Sequence, residues 1–136
     1  MASLTCIVCP IGCALSVEED PAGGKGILTV SGNRCNRGAV YAQEEIRAPK
    51  RTVTATCAIA EESLKAGTGE GPKRRSEYDP RRVPVKTTSP CPKERIEQLL
   101  KDLYHIRISL PVKAGDTIIA DWQNTGINVV ALRTMN

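Results

Sequence analysis

Four cysteines stand close to the start of the chain: Cys6, Cys9 and Cys13 in a C-x2-C-x3-C run, then Cys35 alone. A deprotonated thiol is a strong ligand for soft metals, and four at such spacings are enough to enclose an iron–sulfur cluster or a zinc ion. Structural zinc sites usually draw on two C-x2-C knuckles, one for each pair of ligands. Here three thiols fall within eight residues and the fourth arrives from elsewhere, a pattern that favours a 4Fe-4S cubane, with zinc and metal-free thiols as alternatives. The order also differs from the C-x3-C-x2-C of radical enzymes that use S-adenosylmethionine.

The neighbours of these cysteines suit a tight metal-binding loop. Gly12 precedes Cys13 and opens backbone conformations closed to other residues, and Pro10 constrains the turn after Cys9. The fourth cysteine sits in Gly32-Asn33-Arg34-Cys35-Asn36-Arg37-Gly38. A cubane held by four thiolates carries negative charge, which Arg37 and Arg34 would offset. Arg37 is therefore a cofactor-binding candidate, against the plainer reading of a solvated loop arginine.

The elements that must position these residues follow from the pattern along the chain. Val17 and Leu28-Thr29-Val30 flank a polar stretch with Pro21, Gly23 and Gly24, which predicts a two-stranded hairpin. Cys13 precedes its first strand and Cys35 follows its second, so the two ends can meet. Ala39 to Ile46 reads as a short helix stopped by Pro49. Thr52 to Ala60 alternates as a half-buried strand, with Val53, Ala55, Cys57 and Ile59 on one face. Residues 61–82 are rich in glycine and charge and read as a flexible connection. Val83 to Thr87 reads as a strand placed at a sheet edge because Pro84 lacks an N–H. Pro92 opens a helix whose face carries Ile96, Leu99, Leu100 and Leu103, running to about Tyr104. Alternation in Ile106, Ile108, Leu110 and Val112, then Ile118 to Ala120 and Ile127 to Leu132, predicts further strands. The expected fold is α+β: a small Cys-rich cluster-binding lobe over residues 1–51, then a mostly antiparallel sheet with one covering helix over 52–136.

Composition narrows the function. The chain has 136 residues, is 40% hydrophobic and only 3% aromatic with no Phe, and carries a net charge of +4. That mild charge and the scarcity of aromatics argue against nucleic acid. No stretch approaches the ~20 apolar residues of a membrane span, and the N-terminus does not look like a signal peptide. A cytoplasmic location is expected, where a dense Cys cluster points to metal or redox chemistry more than to structural disulfides.

The remaining candidates read as structural. Cys57 lies on an apolar strand face and Cys91 lies between prolines, so both are expected to pack. His105, the one histidine, suits a helix C-terminus. Trp122 and Tyr41 read as packing residues, with Tyr41 placed to shield the cluster. Lys73-Arg74-Arg75 with Arg81-Arg82 reads as a solvated basic run. Gly67-x-Gly69-x-Gly71 lacks the strand-to-helix context of a dinucleotide fingerprint. No nucleophile–base pair is recognisable, so the chain is expected to be a non-catalytic subunit.

Two resemblances add to this reading. Cys6-x2-Cys9-x3-Cys13, Cys35-Asn36-Arg37-Gly38 and Pro49-Lys50-Arg51 resemble the iron–sulfur segment of molybdopterin oxidoreductases, in which Arg37 would match the basic residue near the electron path. The resemblance covers about the first third, and 136 residues are too few for that family's pterin-binding domains. Over nearly its whole length the chain resembles a family of small bacterial Cys-motif proteins of unassigned function. The resemblance is carried by Cys6 to Cys13, Gly32-Asn33-Arg34-Cys35, Arg37-Gly38, Tyr41-Ala42, Pro84-Val85-Lys86-Thr87, Pro92-Lys93 and Ala131-Leu132-Arg133. Its members are often encoded beside flavin-dependent dehydrogenases, including relatives of anaerobic glycerol-3-phosphate dehydrogenase. The resemblance implies an iron–sulfur electron-transfer or accessory subunit whose partner is a flavin-dependent dehydrogenase. The alternative is a zinc-stabilised interaction module without redox activity. A third reading is a thiol regulator in which Cys6 and Cys9 cycle between dithiol and disulfide.

Overall fold

A computed structural model describes residues 1–19, 28–65 and 80–136. The chain divides into two compact units, Met1–Pro49 and Lys50–Asn136.

In the first unit three antiparallel strands lie side by side in chain order: β1 (Ala2–Thr5), β2 (Ala14–Glu19) and β3 (Leu28–Ser31). β2 and β3 form the expected hairpin, with Ser16 opposite Ser31 and Glu19 opposite Leu28. β1 is an addition that the sequence pattern did not reveal. Its inward set is short, Ala2, Leu4 and then Cys6, and it faces Leu15 and Val17 of β2 in one apolar cluster. The helix α1 (Asn36–Arg47) starts three residues earlier than expected, directly after Cys35, whose backbone is extended. Buried Gly38 and Ala42 face its packing side. A Cβ on Gly38 would stand 3.0 Å from Asn33 Cβ and 3.7 Å from a Leu15 methyl, so a residue without a side chain lets this turn approach the sheet. The helix ends as Ala48 N–H bonds Glu44 C=O, one residue before Pro49.

The second unit is built on a five-stranded sheet. Its strands are β5 (Thr54–Ile59), β6 (Arg82–Thr87), β8 (Arg107–Ile108), β9 (Thr117–Ile119) and β10 (Val129–Ala131), in the order β8-β5-β6-β10-β9. β4 (Lys50–Arg51) pairs with β7 (Cys91–Pro92) in a small ladder of its own. Among the described residues, the strand pairings of this unit are antiparallel except that of β5 with β8. The fold is thus α+β with a mostly antiparallel sheet. Strand β5 alternates as its sequence requires: Val53, Cys57 and Ile59 are buried while Thr54 and Thr56 are exposed. The helix α3 (Ile96–His105) packs on β5 and buries Leu99 and Leu103 completely. It starts later than expected, because Pro92 is spent in the β4–β7 ladder and Lys93–Arg95 form a 3-10 turn before it.

Two further expectations are corrected. β6 occupies the centre of the sheet, although Pro84 suggested an edge. The ladder between β6 and β10 runs from Thr87–Val129 to Val85–Ala131. At the next rung Leu132 N–H donates to Pro84 C=O at 2.8 Å. Pro84 has no N–H to return, so the ladder ends there and the missing donor costs nothing inside it. The stretch expected as a flexible connection begins with a short helix, α2 (Glu61–Lys65), and its last residue, Arg82, is already in β6. Arg82 donates to the Thr56 hydroxyl and carbonyl, both at 2.7 Å. Residues 66–79 of that stretch, including the Lys73-Arg74-Arg75 run and Gly67-x-Gly69-x-Gly71, lie outside the described residues.

Candidate cysteine centre

Hairpin geometry places the first three cysteines. The β1–β2 ladder ends at Thr5 opposite Ala14. One rung further, Cys6 N–H donates to Cys13 C=O at 2.9 Å, so these two residues close the base of the loop that carries Cys9. Gly12 turns the chain into Cys13 with φ +64. A Cβ there would meet nothing nearer than Thr5 Cγ2 at 3.9 Å, so the need for glycine is conformational and not steric.

Cys35 reaches the same end of the sheet by another route. β3 finishes at Ser31, and Gly32 turns with φ +84 while its Cα presses against Ala14, the neighbour of Cys13. Three residues later the Cys35 carbonyl accepts from Asn33 Nδ2 and from Gly38 N–H, both at 3.1 Å. The backbone therefore carries all four cysteines to one end of the three-stranded sheet. Their side chains differ: Cys6 is buried, Cys9 and Cys13 are half-buried and Cys35 is exposed. Among the described residues no three His, Cys, Asp or Glu side chains are grouped so as to hold a metal ion as they stand. Thiols are donors of the type a soft metal takes, but as placed these four are not a closed set of ligands.

Electrostatics single out Cys35. The Gly38 N–H, then the Arg37 side chain and N–H, hold its thiol below the ordinary cysteine range. Arg37 thus touches a cysteine of the constellation. In the metal-free reduced protein Cys35 should be the first of the six thiols to react with iodoacetamide, with a rate midpoint at lower pH than a free cysteine. Arg37→Gln should move that midpoint upward. Equal alkylation rates at Cys35 and Cys9 across the pH range would contradict this.

A feature the sequence did not expose is the apolar character of the loop surface. Ile7 is 75% exposed and Ile11 61% exposed, on either side of Cys9. Periodicity has nothing to say about an eight-residue loop, so their exposure emerges only from the structure.

The other candidates have different surroundings. Cys57 and Cys91 are fully buried in the core of the second unit, where desolvation pushes both thiols up. His105 is exposed at the end of α3, its Nδ1 2.7 Å from the Lys101 carbonyl oxygen. Tyr41 packs against the core of the first unit. Trp122 is buried, as expected, but it anchors a polar constellation that was not anticipated. Its Nε1–H donates to Asp102 Oδ2 at 2.7 Å, and the Arg95 guanidinium lies 4.8 Å from the ring centroid. Asp121, Gln123 and Asn124 around it have positive φ. These contacts tie α3 to the turn between β9 and β10, a role in folding more than in chemistry.

Fold and site together define an α+β protein whose first unit carries four cysteines at one end of its sheet. Residues 75–133 match the model of a family of proteins of unknown function, DUF1667. The match falls within the second unit, so Cys6, Cys9, Cys13 and Cys35 lie outside it. No curated protein matches the chain. Among solved structures, a Clostridium perfringens protein determined by NMR is similar at 18% identity and a TM-score of 0.45, over 62% of this chain and 82% of that one.

Proposed function

We propose that the protein is a 4Fe-4S electron-transfer or accessory subunit of a flavin-dependent dehydrogenase. The observation that carries this reading is the delivery of four cysteines, from a hairpin loop and a helix start, to one end of one sheet. Cys6, Cys9, Cys13 and Cys35 would hold the cluster, and when bound it would supply one-electron transfer. The chain's own contribution is positional. The Cys6–Cys13 backbone bond fixes the loop base, Gly32 brings the Cys35 segment alongside, and Arg37 offsets thiolate charge. Ile7, Val8 and Ile11, exposed around Cys9, suit an apolar contact with a partner protein. Hydride and substrate chemistry would belong to that partner. Six free cysteines suit a reducing compartment, so we place the protein in the cytoplasm. No helix among the described residues is long and apolar enough to cross a membrane.

Anaerobic reconstitution with iron and sulfide tests the reading. Wild type should gain a broad visible absorption band that bleaches on reduction. Cys13→Ser should lose the band and most of the bound iron, whereas Cys57→Ser should keep both. Stoichiometric zinc in a colourless, redox-silent protein purified without oxygen would overturn the reading. Capture of the tagged chain under anaerobic conditions, with flavin measured on the complex, tests the partner.

A further inference from the structure

We infer that Cys6 and Cys13 form a reversible cross-strand disulfide when the site is metal-free, and that this bond is the redox control of the site. The regulatory consequence rests on the ligand role proposed above, but the disulfide itself does not.

Four cysteines in one region allow six pairings, and the strand register selects one of them. Thr5 stands opposite Ala14, so the next residues, Cys6 and Cys13, stand opposite each other. The 2.9 Å bond from Cys6 N–H to Cys13 C=O marks them as a hydrogen-bonded pair. Directly opposed residues in such a pair have Cα atoms about 5.5 Å apart, inside the range of about 4.4–6.8 Å that a disulfide spans. They also share a face: both belong to the apolar cluster built by Leu15, Val17 and their neighbours. Cys9 is in the loop between them, and Cys35 is exposed at the start of α1. Cys57 and Cys91 are fully buried in the other unit. Cβ atoms at opposed positions stand about 4.5–5.5 Å apart and a disulfide draws them to about 3.8 Å. Closure therefore needs a small inward movement, which suits a bond that is readily reduced again.

The oxidant is a low-molecular-weight disulfide of the glutathione class. Cys13, the more exposed of the two, attacks one sulfur as its thiolate and releases one small thiol, leaving a mixed disulfide. The Cys6 thiolate then attacks the Cys13 sulfur and releases the second small thiol. Two electrons pass to the oxidant, and the two cysteine protons end on the two released thiols. With this bond closed only Cys9 and Cys35 remain as thiolate donors, too few to hold a cluster.

The test uses metal-free protein equilibrated with defined ratios of glutathione and its disulfide, then quenched and alkylated. Mass spectrometry should show wild type losing one pair of alkylatable thiols as the ratio becomes oxidising. The Cys9→Ser/Cys35→Ser variant should lose the same pair, which excludes both alternative partners at once. Cys6→Ser and Cys13→Ser should each form no internal disulfide, any thiol lost carrying the mass of a glutathione adduct, and dithiothreitol should restore all six thiols in wild type. A double variant that keeps its full thiol count, or a wild-type bond mapped to Cys9 or Cys35, would overturn the inference. Because no metal is present, the outcome is independent of whether iron or zinc binds. Iron uptake by oxidised and re-reduced protein then measures the control, and equal uptake by both would refute it.

Discussion

Gly32→Ala should destabilise the first unit by about 2–4 kcal/mol, combining the cost of a positive-φ non-glycine residue with that of overpacking. Gly32 has φ +84, and a Cβ built on it would lie 2.1 Å from the Ala14 carbonyl oxygen. That atom is backbone, held in the sheet beside Leu15, so it cannot swing away as a flexible side chain would. Either β2 shifts or the segment from Gly32 to Cys35 moves off it. Both alter the cysteine end, since Ala14 adjoins Cys13. The variant should therefore bind less iron even under conditions where it remains folded. Gly126→Ala separates backbone conformation from crowding. Its φ is +74, but nothing lies within 4 Å of a Cβ there, so only the conformational part of the cost applies and iron binding should be unchanged. Denaturant titration with iron analysis of each variant decides the matter. A Gly32→Ala protein with wild-type stability and wild-type iron content would show that the close approach to Ala14 does not position Cys35.

Leu99→Ala should cost the second unit about 2–5 kcal/mol, the range for removing a buried leucine side chain from a packed core. Leu99 is fully buried where α3 packs on β5, in a cluster with Cys57, Val83, Val85 and Leu103. The cluster contains one large aromatic, Trp122, and one methionine, Met135, and is otherwise built from aliphatic and cysteine side chains. Trp122 is the chain's single tryptophan and is 3% exposed, so its fluorescence reports unfolding of this unit. Tyr104, on the same helix but 56% exposed, is the control: Tyr104→Ala should change stability by no more than about 0.5 kcal/mol. Equal midpoints for the two variants would mean that α3 does not supply the core of the unit.

Much of the architecture is legible without coordinates because it follows from period. The alternation of Val53, Cys57 and Ile59 against exposed threonines can only be satisfied by a strand with one wet face. The spacing of Ile96, Leu99, Leu100 and Leu103 is that of a helix covering a sheet, and α3 is that helix. The hairpin of β2 and β3 follows from two β-rich runs around a glycine-rich stretch. Cysteine chemistry is equally local, since thiols and their spacing are properties of the chain itself.

Other features depend on which segments meet. Pro84 argues for an edge when β6 is considered alone. In the fold, β10 stops one rung short of a full ladder, so the absent N–H falls where no donor is needed and a central position becomes possible. Pro92 looks like a helix start until Cys91–Pro92 is paired with Lys50–Arg51, some forty residues earlier. The hydrogen bond from Trp122 to Asp102 likewise joins two elements whose separation in sequence conceals it.

The cysteine constellation shows both sides of this division. By itself the sequence determined that four thiols lie early in the chain, three bunched and one apart, with glycines and arginines around them. Which thiols face each other was decided only by the tertiary structure. β1 is too short to announce itself by pattern, yet its pairing with β2 puts Cys6 opposite Cys13, and the contact between Gly32 and Ala14 brings Cys35 to the same end. The physical reason is that ligand type is a local property, whereas register and close backbone approach are set by the partner strand.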